Sequence, residues 1–309
     1  MTFAGFSTRG AWSQRPPGGR AGDKTVQDLG AYPKGRTGRD PAQNVCVDPI
    51  SGLKFIELSH LWGHGAPIWP GDPELRIERG VTHARDGVLS HKITATMHVA
   101  THLNAPIHLI QGGADVASLP IDRFFGAGVV LAIPKQRWEL VSAADLAAAE
   151  PAVREGDIVV VNTGWHRNYS DSQEYFGCAP GLAEDAADWL VQKKIALFGI
   201  DTAAVDHPLA TSLGLHRNGP LMRRLPEYYR AQTGRDPQSD FPRWNPAHRA
   251  LLKAGIATIE NVGGGLEEAS GRRCALQAYP WKFRDGDACV VRFMAILDTT
   301  GDYRIESGR

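Results

Sequence analysis

TMHVATHLNAPIHLI, residues 96–110, places His98, His102, Asn104 and His108 at even positions within a span of eleven residues. Parity is informative because alternate residues of a strand share a face. On one straight strand, Thr94, Thr96, His98, Ala100, His102, Asn104 and His108 would line one side. Ile93, Ala95, Met97, Val99, Leu103 and Ile107 would pack on the other. A strand rises about 3.3 Å per residue, so His98 and His102 would then stand roughly 13 Å apart. One metal cannot bridge that gap with bonds of about 2.0–2.2 Å. A helical turn would bring positions i and i+4 together, but Pro106 disfavours a helix running through Ala105. The spacing therefore predicts a strand ending near Met97 and an irregular loop folded inward after it. In that loop the His98-x3-His102 pair clasps a metal, Asn104 stands beside it, and His108 is free for proton transfer. The plain alternative is a set of hydrogen-bonded structural histidines. Three of the chain's eleven histidines within so short a span weigh against it.

Working outward, KFIELSHL reads as a strand and APIWPGDPEL as a turn-rich segment. SHKITATMHVA alternates strictly, the pattern of a half-buried strand. GAGVVLAIP and GDIVVVNTG are short apolar runs bounded by Gly and Pro, as buried strands are. Between them SAADLAAAE offers a Ser N-cap and helix formers. GLAEDAADWLVQKK sets Leu182, Ala186, Trp189 and Leu190 at helical spacing, and IALFGIDTAAV returns to strand. NPAHRALLKAG is a compact helix with Asn245 as N-cap, Pro246 at its first position and Gly255 closing it. IATIENV and CVVRFMAILDT complete the strands. The pattern predicts one α/β domain with a mixed β-sheet core and peripheral helices.

Thirty-four basic side chains balance 34 acidic ones, which argues against nucleic acid or an anionic membrane as a partner. Cys46, Cys178, Cys274 and Cys289 are widely spaced and form no CxxC pair, against a zinc ribbon or a disulfide scaffold. With no apolar run of signal-peptide or membrane-spanning length, a cytoplasmic location is expected.

Two segments stand apart. Residues 1–50 read as a basic, Gly/Pro-rich arm: the first 45 hold eight Gly, four Pro and seven basic residues against three acidic ones. Such a composition buries too little apolar surface to order alone. The arm either orders against a neighbouring surface or reaches across a subunit interface. Residues 51–309 form the domain, and within it HRNGPLMRRLPEYYRAQTGRDPQSDFPRW (216–244) fits no core element. It is a lid-like or binding insert, an interface element, or a solvated surface loop. VGGG (262–265) lacks a phosphate-loop pattern and reads as a turn. Asp201, Asp206 and His207 have no GxSxG elbow to make a serine triad.

HVATHLNAPIH resembles the His-x-Gly-Thr-His-x-Asp-x-Pro-x-His signature of the cyclase superfamily of metal-dependent hydrolases, which includes bacterial kynurenine formamidase and isatin hydrolase. ELSHLWGHGAPIWPGDP (57–73), GIDTAAVD (199–206) and HRALLKAGIATIENV (248–262) are similar to further family segments in the same order. The resemblance runs from about Phe55 to the last strand. It implies the family's swivelling β/β/α fold, with His98, His102 and the motif position Asn104 as ligands of Zn or Mn, His248 and Glu260 completing a second metal position, and His108 as the acid–base residue. His248 falls in the first turn of its helix, where the positive dipole end favours a neutral imidazole. Two departures stand out: the family's Gly is Ala100, a small change, and its Asp is Asn104. An amide oxygen is a poor bridge between two dications, so one metal is expected, or a second held loosely.

The implied reaction is hydrolysis of an amide-type C–N bond in a small, aromatic or cyclic substrate by metal-activated water. His108 would pass a proton to the leaving nitrogen and Asn104 would orient the nucleophile or the carbonyl. Trp69, His60, His207, Tyr228, Tyr229 and Trp244 are candidates for the pocket wall. The alternatives are a cyclase or lyase step on a polyketide-like or lactone substrate, and a non-catalytic binding protein. A homo-oligomer, dimer or tetramer, is expected.

Overall fold

A computed structural model describes residues 44–303; the arm through residue 43 lies outside them. Its strands are β1 (Val45–Val47), β2 (Lys54–Glu57), β3 (Arg76–Val81), β4 (Ser90–Thr94), β5 (His102–Asn104), β6 (Phe125–Ala132) and β7 (Leu140–Val141). β8 (Ile158–Asn162), β9 (Gly181–Leu182), β10 (Leu197–Ile200), β11 (Ala257–Glu260), β12 (Arg272–Ala278), β13 (Ala288–Val290) and β14 (Phe293–Leu297) follow. The helices are α1 (His83–Asp86), α2 (Ala143–Ala148), α3 (Gln173–Gly177), α4 (Glu184–Gln192), α5 (Leu225–Thr233), α6 (Pro237–Asp240), α7 (Pro246–Lys253) and α8 (Leu266–Ala269). No described helix is long and apolar enough to cross a membrane.

Ten strands form one mixed sheet in the order β1-β2-β14-β12-β6-β8-β10-β11-β5-β13. Its centre, β6-β8-β10-β11, is parallel, and β5 closes antiparallel onto β11. The central strands are buried on both faces, which is why they read as continuous apolar runs. Within β8, Ile158 and Val160 join a core with Ile56, Leu103, Leu276 and Phe293. Val159 and Val161 point the other way, against Ala186 and Leu190 of α4 and Leu251 of α7. The first core draws residues from strands at both ends of the sheet, so the sheet curls around it while helices cover its outer face. This is the mixed sheet with peripheral helices that the pattern predicted.

Several local expectations give way. β4 is exposed at every residue and pairs only with β3, so SHKITATMHVA is not a half-buried strand. Alternation reports an amphipathic strand, and no second layer among the described residues covers it. Leu182 lies in β9, not on the helix, because it pairs with Val141 of β7 before α4 begins at Glu184. Residues 216–244 are not irregular: they carry α5 and α6, whose Leu225 and Tyr229 pack with Trp165, Tyr175 and Phe176 in a third core.

Asn245 does not cap α7 through its side chain; it sits at φ 44 and makes no capping bond. Asp206 does the work from a distant loop, its two carboxylate oxygens accepting from the Ala247 and His248 amides at 2.9 Å each. Burial pushes the Asp206 carboxyl up to about 7, and those two amides oppose the shift. Asp206→Ala would leave two buried N–H groups at a helix start without partners. It is expected to cost about 2 kcal/mol of unfolding free energy in denaturant titration.

Candidate metal centre

Between His98 and His102 the chain does not run straight. Ala100 takes a left-handed backbone (φ 56), and this turn brings the two imidazoles to ring centroids 5.1 Å apart. A non-Gly residue there costs about 1–2 kcal/mol, so replacing the family's Gly by Ala100 is a strained change rather than a small one. The turn is pinned from below. The Ala100 carbonyl accepts from Asn261 Nδ2 (3.0 Å), and Thr101 Oγ1 donates to the Asn261 carbonyl (2.6 Å). The expected break is present, but the inward loop after it is short: the chain re-enters the sheet at once as β5.

Sheet register then assembles the site. His102 stands opposite Glu260 and Asn104 opposite Thr258, while Leu103 and Ile259 face the core. Cross-strand neighbours on one face lie within side-chain reach of each other. Asn104 Nδ2 donates to Glu260 Oε2 (2.9 Å), and Glu260 Oε1 accepts from the Val205 amide (2.9 Å). From α7, His248 engages Thr258 Oγ1 through Nε2 at 2.8 Å and turns Nδ1 towards Glu260 Oε1 at 3.7 Å.

Proton bookkeeping around the two loop histidines defines the chemistry. His102 Nδ1 lies 2.9 Å from the Ala100 carbonyl oxygen, so Nδ1 carries the proton and Nε2 presents a lone pair. His98 Nε2 lies 2.9 Å from Asp287 Oδ2, which by the same logic leaves the lone pair on Nδ1. That Nδ1 is 3.3 Å from His102 Nε2, and Glu260 Oε2 is 3.1 Å from the same nitrogen. His102 Nε2 therefore faces an imidazole nitrogen on one side and a carboxylate oxygen on the other, contacts that a bound cation would satisfy. The ligand atoms that all lie within 4.8 Å of one another among the described residues belong to His98, His108 and Asp287. Ligand atoms around a tetrahedral ion with bonds of about 2.1 Å stand about 3.4 Å apart, close to each of the two contacts at His102 Nε2. A further buried oxygen, Asn104 Oδ1, has no partner among the described residues. The donor set of imidazole and carboxylate suits Zn or Mn.

Electrostatics fit the same picture. Burial lowers His248 to about 3, so it is a neutral imidazole at physiological pH. Burial would raise Glu260, but the imidazoles of His102 and His248 and the Asn104 amide outweigh it and hold the carboxyl well below its usual range. Contacts with His108 and His98 hold Asp287 far down as well.

His108 sits on a 3₁₀ turn after Ala105 and Pro106, partly exposed, its ring 4.4 Å from His98 and 5.8 Å from His248. Asp287 Oδ2 is 3.6 Å from its Nδ1. These side chains open onto a cavity of about 660 Å³ lined by His98, His102, His108, His248 and Glu260, with Trp69 and Trp244 also in its wall.

The remaining wall candidates lie elsewhere. His60 stacks on Tyr169 (3.6 Å) and donates its amide to Thr101 Oγ1, supporting the turn. His207 is buried against Phe241 (3.9 Å), and burial lowers it to about 3. Tyr229 is buried with its hydroxyl on Asp240, and Tyr228 borders a neighbouring groove. Sequence reasoning missed Asp287, Arg217 and Asn218. Asp287 reaches His98 across 189 residues through the β5–β13 pairing, and no local motif marks it.

Residues 56–207 match the model of a family described as putative cyclase. Across that stretch, just under half of its length, the chain is similar to the cyclase family. The kynurenine formamidase of Erythrobacter litoralis is 27% identical over 243 residues, covering 78% of this chain and 93% of that protein. Among solved structures, an isatin hydrolase bound to the product analogue thioisatinate aligns with TM-score 0.64 at 19% identity, covering 79% of this chain and 92% of that one. A potential metal-dependent hydrolase with cyclase activity aligns with TM-score 0.56 at 22% identity, over 79% of this chain and 98% of its own. These two likenesses concern the fold. The family match ends at His207, so His248, Glu260 and Asp287 stand on geometry, with His248 and Glu260 also on motif resemblance.

Proposed function

We propose that this protein is a metal-dependent hydrolase that opens an amide-type C–N bond in a small aromatic substrate. The observation that carries the reading is the gathering of His98, His102, His108, His248 and Glu260 at the wall of one cavity, with His98 Nδ1 and Glu260 Oε2 each close to His102 Nε2. The kynurenine formamidase and isatin hydrolase relatives support the same reaction class. His98, His102 and Glu260 would hold the ion, with His248 and the Asn104 oxygen adjoining. When bound, a divalent ion there supplies Lewis acidity and lowers the pKa of water.

The chain's own residues do the rest. Asp287 holds His98 by its Nε2–H and so keeps the Nδ1 lone pair aimed inward. His108, beside the ligands and open to the cavity, moves the proton to the leaving nitrogen. Trp69 and Trp244 flank an aromatic ring. Asn104 spends its amide N–H on Glu260, which orients that carboxylate rather than the substrate. The proposal includes a cytoplasmic setting, Zn or Mn as the ion, and a homo-oligomer.

Metal analysis of the purified protein tests the reading. About one equivalent of Zn or Mn per chain is expected, with hydrolysis of formanilides or isatin-like cyclic amides lost on chelation and regained on readdition. A folded protein that binds neither ion would overturn it.

A further inference from the structure

Part of the cavity wall comes from the insert, which lies outside the family match. Arg217, Asn218, Leu221 and Trp244 all line the space that also holds His98, His102 and Glu260. Arg217 has a left-handed backbone (φ 54), and its guanidinium lies 3.9 Å from the centre of the Trp244 indole. Arg249, one residue after His248, approaches the same indole at 5.3 Å and donates to the Leu109 carbonyl at 3.0 Å.

Neither guanidinium has a carboxylate partner among the described residues. Other arginines of the insert do: Arg230 pairs with Asp236, Arg235 with Asp240 and Arg243 with Glu184. Arg223 and Arg224, also without a carboxylate, border the neighbouring groove instead. A guanidinium laid on an indole keeps its N–H edge free, and that planar fork matches a carboxylate in two parallel hydrogen bonds. The stack holds the side chain in place, so less rotamer freedom is lost when an anion docks. Asp72 is the carboxylate on another part of the wall, and it already accepts from Thr96 Oγ1 at 3.2 Å.

We infer that Arg217, stacked on Trp244, is the anion-binding subsite of this cavity, and that the preferred substrates are aryl amides carrying a carboxylate. The substrate class rests on the hydrolase reading above; the anion site does not. The aryl ring then spans from the metal-side wall to the insert, with the carboxylate against Arg217 and the scissile amide beside His108.

Two measurements on the metal-loaded protein separate the two ideas. The first is calorimetric titration with an aromatic carboxylate such as anthranilate, comparing wild type with Arg217→Ala and Arg217→Lys. Loss of a charge-assisted, two-bond contact predicts affinity about 10- to 100-fold weaker in Arg217→Ala, partial recovery in Arg217→Lys, and unchanged metal content. An affinity unmoved by Arg217→Ala means that the anion binds the metal or another cation, and overturns the subsite. The second is kcat/KM for formanilide against its ortho-carboxylated counterpart. Wild type is expected to favour the carboxylated amide about tenfold or more through KM, and Arg217→Ala to erase that preference, with a much smaller change on formanilide than on the carboxylated amide. Equal losses on both amides would make Arg217 a merely structural residue and also overturn the proposal. If neither amide is turned over while anthranilate binding still depends on Arg217, the hydrolase reading fails and the anion site stands.

Discussion

His108→Ala is expected to lower kcat by about 10²- to 10⁴-fold, the range of a lost general acid–base group. Bound metal should stay within a factor of two of wild type. The separation follows from position. The short contacts at His102 Nε2 come from His98 Nδ1 and Glu260 Oε2, and His108 makes neither of them. Its ring neighbours His98 at 4.4 Å and opens to the cavity, where a proton has somewhere to go. KM should change little, because the imidazole acts in the transition state more than in binding. Loss of metal together with activity would show that His108 is a ligand, as its closeness to His98 and Asp287 also allows.

Asn104→Asp is expected to have the largest effect on stability, and the size of that effect should depend on metal. Asn104 Nδ2 is 2.9 Å from Glu260 Oε2, and both residues are buried. A carboxylate there would replace a hydrogen bond with a like-charge contact out of water. In metal-free protein the cost should be about 3 kcal/mol or more, the scale of an uncompensated buried charge. Thermal unfolding in chelator would show a clear loss. With excess Zn or Mn the deficit should vanish, and metal content should rise from one equivalent towards two. A variant equally stable with and without metal, still at one equivalent, would show that the amide does not set the stoichiometry. In this chain, the amide makes the site hydrogen-bonded and formed before any ion arrives.

Sequence and structure agree where chemistry is local. The apolar runs of β8 and β10 were legible because a strand buried on both faces has no polar positions. The parity of His102 and Asn104 survives because both face one side of β5. Elements whose fate depends on distant partners were not legible. Strict alternation marks β4 as a half-buried strand, but no layer among the described residues covers it. Asn245 looks like a cap by position, yet Asp206 holds the helix from about forty residues away in sequence, with separations of 41 and 42. Asp287 carries no motif at all. Trp69 and Trp244 reach the cavity while Tyr228 and Tyr229 do not, a choice made by how α5 rotates into the third core.

The brevity of β5 has a further consequence. Its three residues are held between β11 and β13, strands that leave the ribosome more than 150 residues later, as the 156-residue separation of Asn104 and Glu260 indicates. His98 and His102 therefore have no geometry of their own until the C-terminal third of the chain has closed around them, and closing loops that long is entropically slow. An ion cannot template such a site early; it arrives as the last tenant and acts as a latch. Because it binds only the completed sheet, tight binding draws the whole folding equilibrium with it. The protein's lifetime in a cell would then track the free concentration of its metal, apart from any effect on catalysis.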